Sequence, residues 1–163
     1  MTNAPPDTIV KIAVDTANKG PCAKSKRGVV IFEANASGGV VYGNAHNSPP
    51  WPFECSRTDA CRKDCGRICV HAEQRAILQF LGNDFATRPI GRHVEYQLVR
   101  VKTVNGVLVT SPDGPSCDQC SKLVLEVGIQ TVWLYVAEGI WAPWAATSFH
   151  QRTLRNLGLH DHL

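Results

Sequence analysis

Two short fragments carry residue types that do chemistry: His71-Ala72-Glu73, and Cys117-Asp118-Gln119-Cys120 preceded by Pro115-Ser116. One imidazole and two thiolates make a donor set suited to zinc, and three protein ligands leave the fourth tetrahedral position open to water. An open position points to catalysis rather than to a purely structural ion. Two cysteines separated by two residues chelate one ion from a single helical turn, and a helix N-terminus favours their ionised form. Zinc lowers the pKa of its bound water toward ~7, which makes a hydroxide nucleophile available near neutrality. Glu73, two residues beyond His71, does not easily face the same ion as a further ligand. It is placed to reach the bound water and move protons, which is general acid and base work. A structural zinc or a redox dithiol is the alternative use of these residues; a glutamate beside a three-ligand set favours catalysis.

Four more cysteines follow one another closely: Cys55, Cys61, Cys65 and Cys69. They admit two readings, a second, structural zinc that pins a segment lacking a core of its own, or ordinary buried thiols. His46 is the residue that would replace one of the thiols. Cys22 has no evident partner and reads as a buried thiol, and His93, His150, His160 and His162 are isolated, which favours surface or core roles.

These residues need elements to hold them. Asp7 to Lys19 has helical apolar spacing, follows Pro5-Pro6 and stops at Gly20-Pro21, which predicts an opening helix. Gly28 to Phe32 and Val40 to Gly43 are short apolar runs around a turn of Asn35, Ser37, Gly38 and Gly39, which predicts a strand hairpin. Residues 44–69 hold Pro49, Pro50 and Pro52 and show no apolar period, so a long cysteine-rich irregular loop is expected. His71 to Leu81 repeats apolar residues at helical spacing before Gly82-Asn83. Residues of about 94–110 alternate around Asn105-Gly106 as a hairpin. Cys117 to Val127 reads as a helix closed by Gly128, Thr131 to Val136 as a strand, and about 148–157 as a last helix. The predicted order is helix, two strands, helix, two strands, helix, strand, helix.

With these residues in place, the chain resembles the superfamily of zinc-dependent cytidine and deoxycytidylate deaminases, whose H-x-E and P-C-x-x-C signature is shared by nucleobase deaminases. Beyond the signature, Cys22 to Val30 (CAKSKRGVV) is similar to the family's entry into its first strand, and Ala45 to Pro50 (AHNSPP) to the loop after its second. His71 to Leu78 (HAEQRAIL) resembles the zinc helix of deoxycytidylate deaminases, and Gly128 to Tyr135 (GIQTVWLY) the step into the fourth strand. The resemblance spans roughly residues 20–136. It implies an α/β fold, a three-layer α/β/α sandwich with a mixed five-stranded sheet. It further implies one catalytic zinc held by His71, Cys117 and Cys120, with Glu73 passing a proton from water to the ring nitrogen and then to departing ammonia. Asn47 takes the place of the family's substrate-binding asparagine, with Asn44 as second choice, and the backbone of Ala72 that of the contact to the carbonyl oxygen of the base. The implied reaction is hydrolytic deamination of a cytosine-type nucleoside or nucleotide. The alternative is an aminopurine or a base in single-stranded DNA or RNA, because the cysteine helix with its Gly128-Ile129 step is also similar to that of transfer-RNA adenosine deaminases.

The sequence departs from the family pattern in several places. Ser116 separates Pro115 from Cys117, Arg75 stands where a small polar residue is usual, and the 94–110 hairpin lengthens the gap between His71 and Cys117. Trp141, Pro143 and Trp144 read as core, or else as a wall over the site.

The chain of 163 residues is expected to form a single domain, alone or as a small homo-oligomer. Hydrophobic residues at 44% and charged residues at 19% exclude disordered and fibrous classes. A net charge of +3 is too small for an electrostatic footprint on duplex nucleic acid, so any phosphate contact is local. Lys24, Lys26 and Arg27 are its candidates, whereas Arg57, Arg62, Lys63 and Arg67 read as solvated charges. Seven cysteines argue against complete disulfide pairing, and no apolar run reaches the roughly 18 residues of a membrane span. Together with an N-terminus that lacks a secretory pattern, these observations predict a reducing cytoplasm.

Overall fold

The computed structural model describes residues 4–22, 25–87, 94–111 and 117–159. Lys24, His93, Pro115, Ser116, His160 and His162, singled out above, lie outside them. Helix α1 occupies Asp7–Lys19, between Pro6 and Gly20, and buries Ile9, Ala13, Thr16 and Ala17 along one stripe. Strands β1 (Lys26–Glu33) and β2 (Val40–His46) form the expected antiparallel hairpin. On its other side β1 pairs antiparallel with β3 (Tyr96–Val104), which carries the three-residue β4 (Val107–Val109) across a turn at Asn105-Gly106. Both turn residues have positive φ, 50° and 80°, the conformation that an Asn-Gly pair adopts most readily in a tight hairpin.

The sheet continues from β3 to β5 (Thr131–Ala137) in parallel, and from β5 to β6 (Ile140–Ala145) in antiparallel. Among the described residues it therefore has six strands, in the order β2-β1-β3-β5-β6 with β4 outside that path, one more than the expected five. The additional strand is β6. It holds Pro143, which cannot donate to a ladder and is tolerated because β6 is an edge. Strand β3 of the 94–110 segment is the middle strand of that order.

A second correction concerns the predicted loop of 44–69. Asp59–Ile68 forms a helix, α2, capped by Thr58, whose hydroxyl accepts from the Cys61 backbone N–H at 3.2 Å. None of its residues is buried, so it carries no apolar period for a sequence reading to find.

Three helices, α3 (Ala72–Thr87), α4 (Asp118–Glu126) and α5 (Ala146–Asn156), cover the face opposite α1. The three layers expected from the sequence are present. Alternation along β1 feeds both cores: Val30 and Phe32 meet Ile9, Ala13 and Ala17 of α1, while Val29 and Ile31 meet Ala76 and Phe80 of α3. Because both faces are covered, the strand reads as a continuous apolar run rather than an alternating one.

Gly28 is where α1 comes closest to the sheet. A Cβ there would overlap the Ala13 carbonyl oxygen and stand 2.8 Å from the Ala17 backbone nitrogen, both in the rigid helix backbone. Gly28→Ala is expected to lift α1 and to destabilise the protein by about 2 kcal/mol or more. Urea denaturation measures it, and an unchanged midpoint would contradict the close approach.

Candidate active site

The donor atoms predicted for the metal converge. His71 Nδ1 lies 3.2 Å from Cys120 Sγ and 3.3 Å from Cys117 Sγ, and the two sulfurs are 3.0 Å apart. Two helix starts bring them together. His71 immediately precedes α3, and its backbone N–H donates to the Gln74 side-chain oxygen at 3.0 Å, the half of a capping box that the third residue supplies. Cys117 is the N-cap of α4, and its sulfur accepts from the Cys120 backbone N–H at 3.3 Å. Cys120 is buried, whereas His71 and Cys117 are half-buried.

The ring orientation of His71 has its own support. Nε2 lies 3.1 Å from the Gly66 carbonyl oxygen on α2. With that nitrogen donating, Nδ1 presents its lone pair to the sulfurs, the tautomer a metal ligand needs. Electrostatics pairs His71 and Cys117 as imidazolium and thiolate, so metal binding releases the Nδ1 proton. The Cys117 thiol is lowered to about 4, first by its hydrogen bond with Cys120 and then by that with His71, while the hydrogen bond with Cys117 raises the His71 imidazole to about 9. Thiolate is the form a metal binds, and one nitrogen with two sulfurs suits zinc. His71, Cys117 and Cys120 thus fit the ion that the sequence predicts.

Glu73 sits in the first turn of α3, 7% exposed, with Oε1 3.4 Å from Nη1 of Arg100 on β3. Arg100, 6% exposed, escaped the sequence reading. Its one available signal was a charged residue at an inward position of an alternating strand, two places after the core residue Leu98. Arg27 lies on the same face of β1, in register with Lys102. Burial holds its guanidinium below the ordinary value, Arg100 adds to this, and Glu73 opposes it. Lys26, its neighbour, faces the other way and donates to the Asn18 carbonyl of α1 at 2.9 Å.

Ala72 is fully buried at the start of α3. Asn47 closes the loop after β2 onto the start of β1: its Oδ1 accepts from the Arg27 backbone N–H at 2.8 Å and its Nδ2 donates to the Ser25 carbonyl at 3.2 Å. Asn44 is on the α1 face, where its side chain donates to Thr16 Oγ1 at 3.1 Å, away from His71. Arg75 straps the following loop to α3 by donating to the Pro49 carbonyl at 2.7 Å and the Ser48 carbonyl at 3.4 Å.

The four thiols predicted for a second zinc do not converge as a ligand group among the described residues. Cys55 and Cys61 approach to 3.6 Å, but the single group of three or more potential metal ligands among the described residues is His71, Cys117 and Cys120. Cys65 lies one turn beyond Cys61 with its sulfur on the Arg62 carbonyl, and Cys69 is buried past the end of the helix. The tryptophans do not wall the site. Trp141 pairs with Tyr135 on the α1 side of the sheet, and Trp144 packs against the core beneath Arg152, whose guanidinium lies 5.2 Å from its ring. His150 is buried with Nδ1 2.8 Å from Ser121 Oγ, a core role that joins α5 to α4. No described helix is long and apolar enough to cross a membrane.

No protein-family model matches the chain, and no curated protein matches it. Among the solved structures that share its fold are two deaminases. The cytidine deaminase from Burkholderia pseudomallei aligns with a TM-score of 0.57 and 18% identity, covering 91% of this chain and 96% of that one. The dCMP deaminase from the cyanophage S-TIM5 aligns with a TM-score of 0.51 and 17% identity, covering 77% and 78%. The chain therefore has the cytidine deaminase-like fold that its motifs imply.

Proposed function

We propose that the protein is a zinc-dependent hydrolase that replaces the exocyclic amine of a cytosine-type nucleoside or nucleotide with a carbonyl and releases ammonia. The observation that carries this reading is the convergence of His71, Cys117 and Cys120 beside the buried carboxylate of Glu73. Zinc held by those three residues would supply a Lewis acid and an acidified water. Glu73 accepts the proton that the water gives up, delivers it to the ring nitrogen, and then serves the departing amine. Arg100 holds the carboxylate in place for both transfers.

Ala72 opens α3, and the N–H groups of a first helical turn have no partner within the helix. Its backbone N–H is the proposed donor to the carbonyl oxygen of the base. Asn47 spends one lone pair and one amide hydrogen on β1 and keeps one of each for substrate. Arg27, on the Glu73 face, is the proposed neighbour of a phosphate. The names of the two deaminase structures described above, a cytidine and a dCMP deaminase, favour the cytosine class.

The deciding experiment offers the zinc-loaded protein cytosine, cytidine, deoxycytidine, dCMP, adenine, guanine and single-stranded DNA and follows ammonia release. Turnover of a cytosine nucleoside or nucleotide is expected. Turnover of purines alone would remove the cytosine assignment, and turnover of nothing would remove the enzymatic reading.

A further inference from the structure

The dithiol at the start of α2 plays no part in the site described above. Cys55 and Cys61, both half-buried, face each other with their sulfurs 3.6 Å apart. That is contact distance for two thiols, against the roughly 2.0–2.1 Å of a disulfide bond. The chain between them is built to hold this approach. Arg57 takes a left-handed conformation with φ of 57°, which turns the chain back, and the Ser56 and Thr58 hydroxyls lie 3.0 Å apart before Thr58 caps the helix. Cys61 therefore stands in the first turn of α2, where the positive end of the helix favours a thiolate. The hydrogen bond with Cys55 favours the same form and is the first cause of the lowered Cys61 thiol.

The remaining thiols are less suited to reaction. Cys22 is buried, and burial pushes the Cys69 thiol up to about 11. Cys65 is half-buried one turn farther along, with its sulfur engaged by the Arg62 carbonyl at 3.6 Å. Cys117 and Cys120 are claimed by the metal centre.

We propose that Cys55 and Cys61 are a reversible dithiol–disulfide pair, oxidised by exchange with a low-molecular-weight disulfide such as oxidised glutathione. The Cys61 thiolate attacks one sulfur of that disulfide, forming a mixed disulfide and releasing one glutathione thiolate. Cys55, as its thiolate, then attacks the Cys61 sulfur, which closes the internal bond and releases the second glutathione. Two protein thiols lose two electrons in all, and one molecule of oxidised glutathione becomes two of reduced glutathione. The bond staples the start of the helix whose Gly66 carbonyl orients His71. The inference stands apart from the proposed reaction, because it concerns thiols outside that site.

The test equilibrates the zinc-loaded full chain with mixtures of oxidised and reduced glutathione and maps its peptides without reduction. A link between Cys55 and Cys61 is expected, with the loss of two free thiols per chain, and excess reduced glutathione should reverse it. Cys55→Ser should leave a persistent glutathione adduct on Cys61, since the resolving thiol is gone. A link from either residue to Cys65, adducts without a link in the unaltered protein, a pair that stays reduced throughout, or a bound metal ion that protects it would each overturn the proposal.

Discussion

Replacing Glu73 with alanine is expected to lower ammonia release by about 100- to 10,000-fold while the protein keeps its metal. The argument is positional. Glu73 is separated from His71 by one residue, so the helix start that delivers the imidazole also delivers a carboxylate that is not part of the converging donor set. Its contact with Arg100 makes the alanine variant a double perturbation, because the buried guanidinium loses this partner. Breaking a buried ion pair from one side costs about 3 kcal/mol or more. Glu73→Gln separates the two effects, since an amide still offers Arg100 an oxygen yet cannot carry the proton. Both variants should lose the same activity, with the glutamine variant the more stable in urea. A glutamine variant with near-normal turnover would show that Glu73 is not the proton carrier.

Cys120→Ser is expected to lower zinc content from about one ion per chain to almost none and to abolish turnover with it. Cys120 is the fully buried ligand, and its sulfur contacts both other donors. An ion that binds the folded chain alone stabilises it by about 4 kcal/mol when free ligand stands at 1,000 times Kd. The variant should therefore melt at a lower temperature than the zinc-loaded protein, close to that of the unaltered chain stripped by a chelator. Metal analysis and thermal melts on the three samples decide it. A full equivalent of zinc in the variant would place the ion elsewhere and revive the four-thiol site.

The proposed catalytic set was legible because its residues are rare in type and close in sequence. His71 and Glu73 share one helix start, Cys117 and Cys120 another, and a short motif records each. The elements read from apolar period were also found, and α1 falls on the expected residues because one side of it is committed to the sheet. What escaped detection lacks that commitment. Helix α2 buries nothing, so its sequence is free of periodicity, and Thr58-Asp59 was its one local sign. Strand β6 carries a proline, which argues against a strand until its edge position is known. Arg100 meets Glu73 across 27 positions, a pairing that only the docking of α3 on the sheet creates. Asn44 and Asn47 differ in which face of the sheet they serve, and a register shift at Ile31/Phe32 stands between the β1–β2 pairing and any simple count.

The absence of buried residues in α2 also bears on how this wall of the site can change over generations. A helix that owes the core nothing accepts substitutions at Arg62, Lys63 or Arg67 with effects mostly within about 0.5 kcal/mol. What α2 contributes to His71 is a backbone carbonyl, which most side-chain replacements leave in place. Selection can therefore alter the charge and shape of this rim almost independently of fold stability, while α3, packed on the sheet through Ala76 and Phe80, keeps the reacting groups where they are.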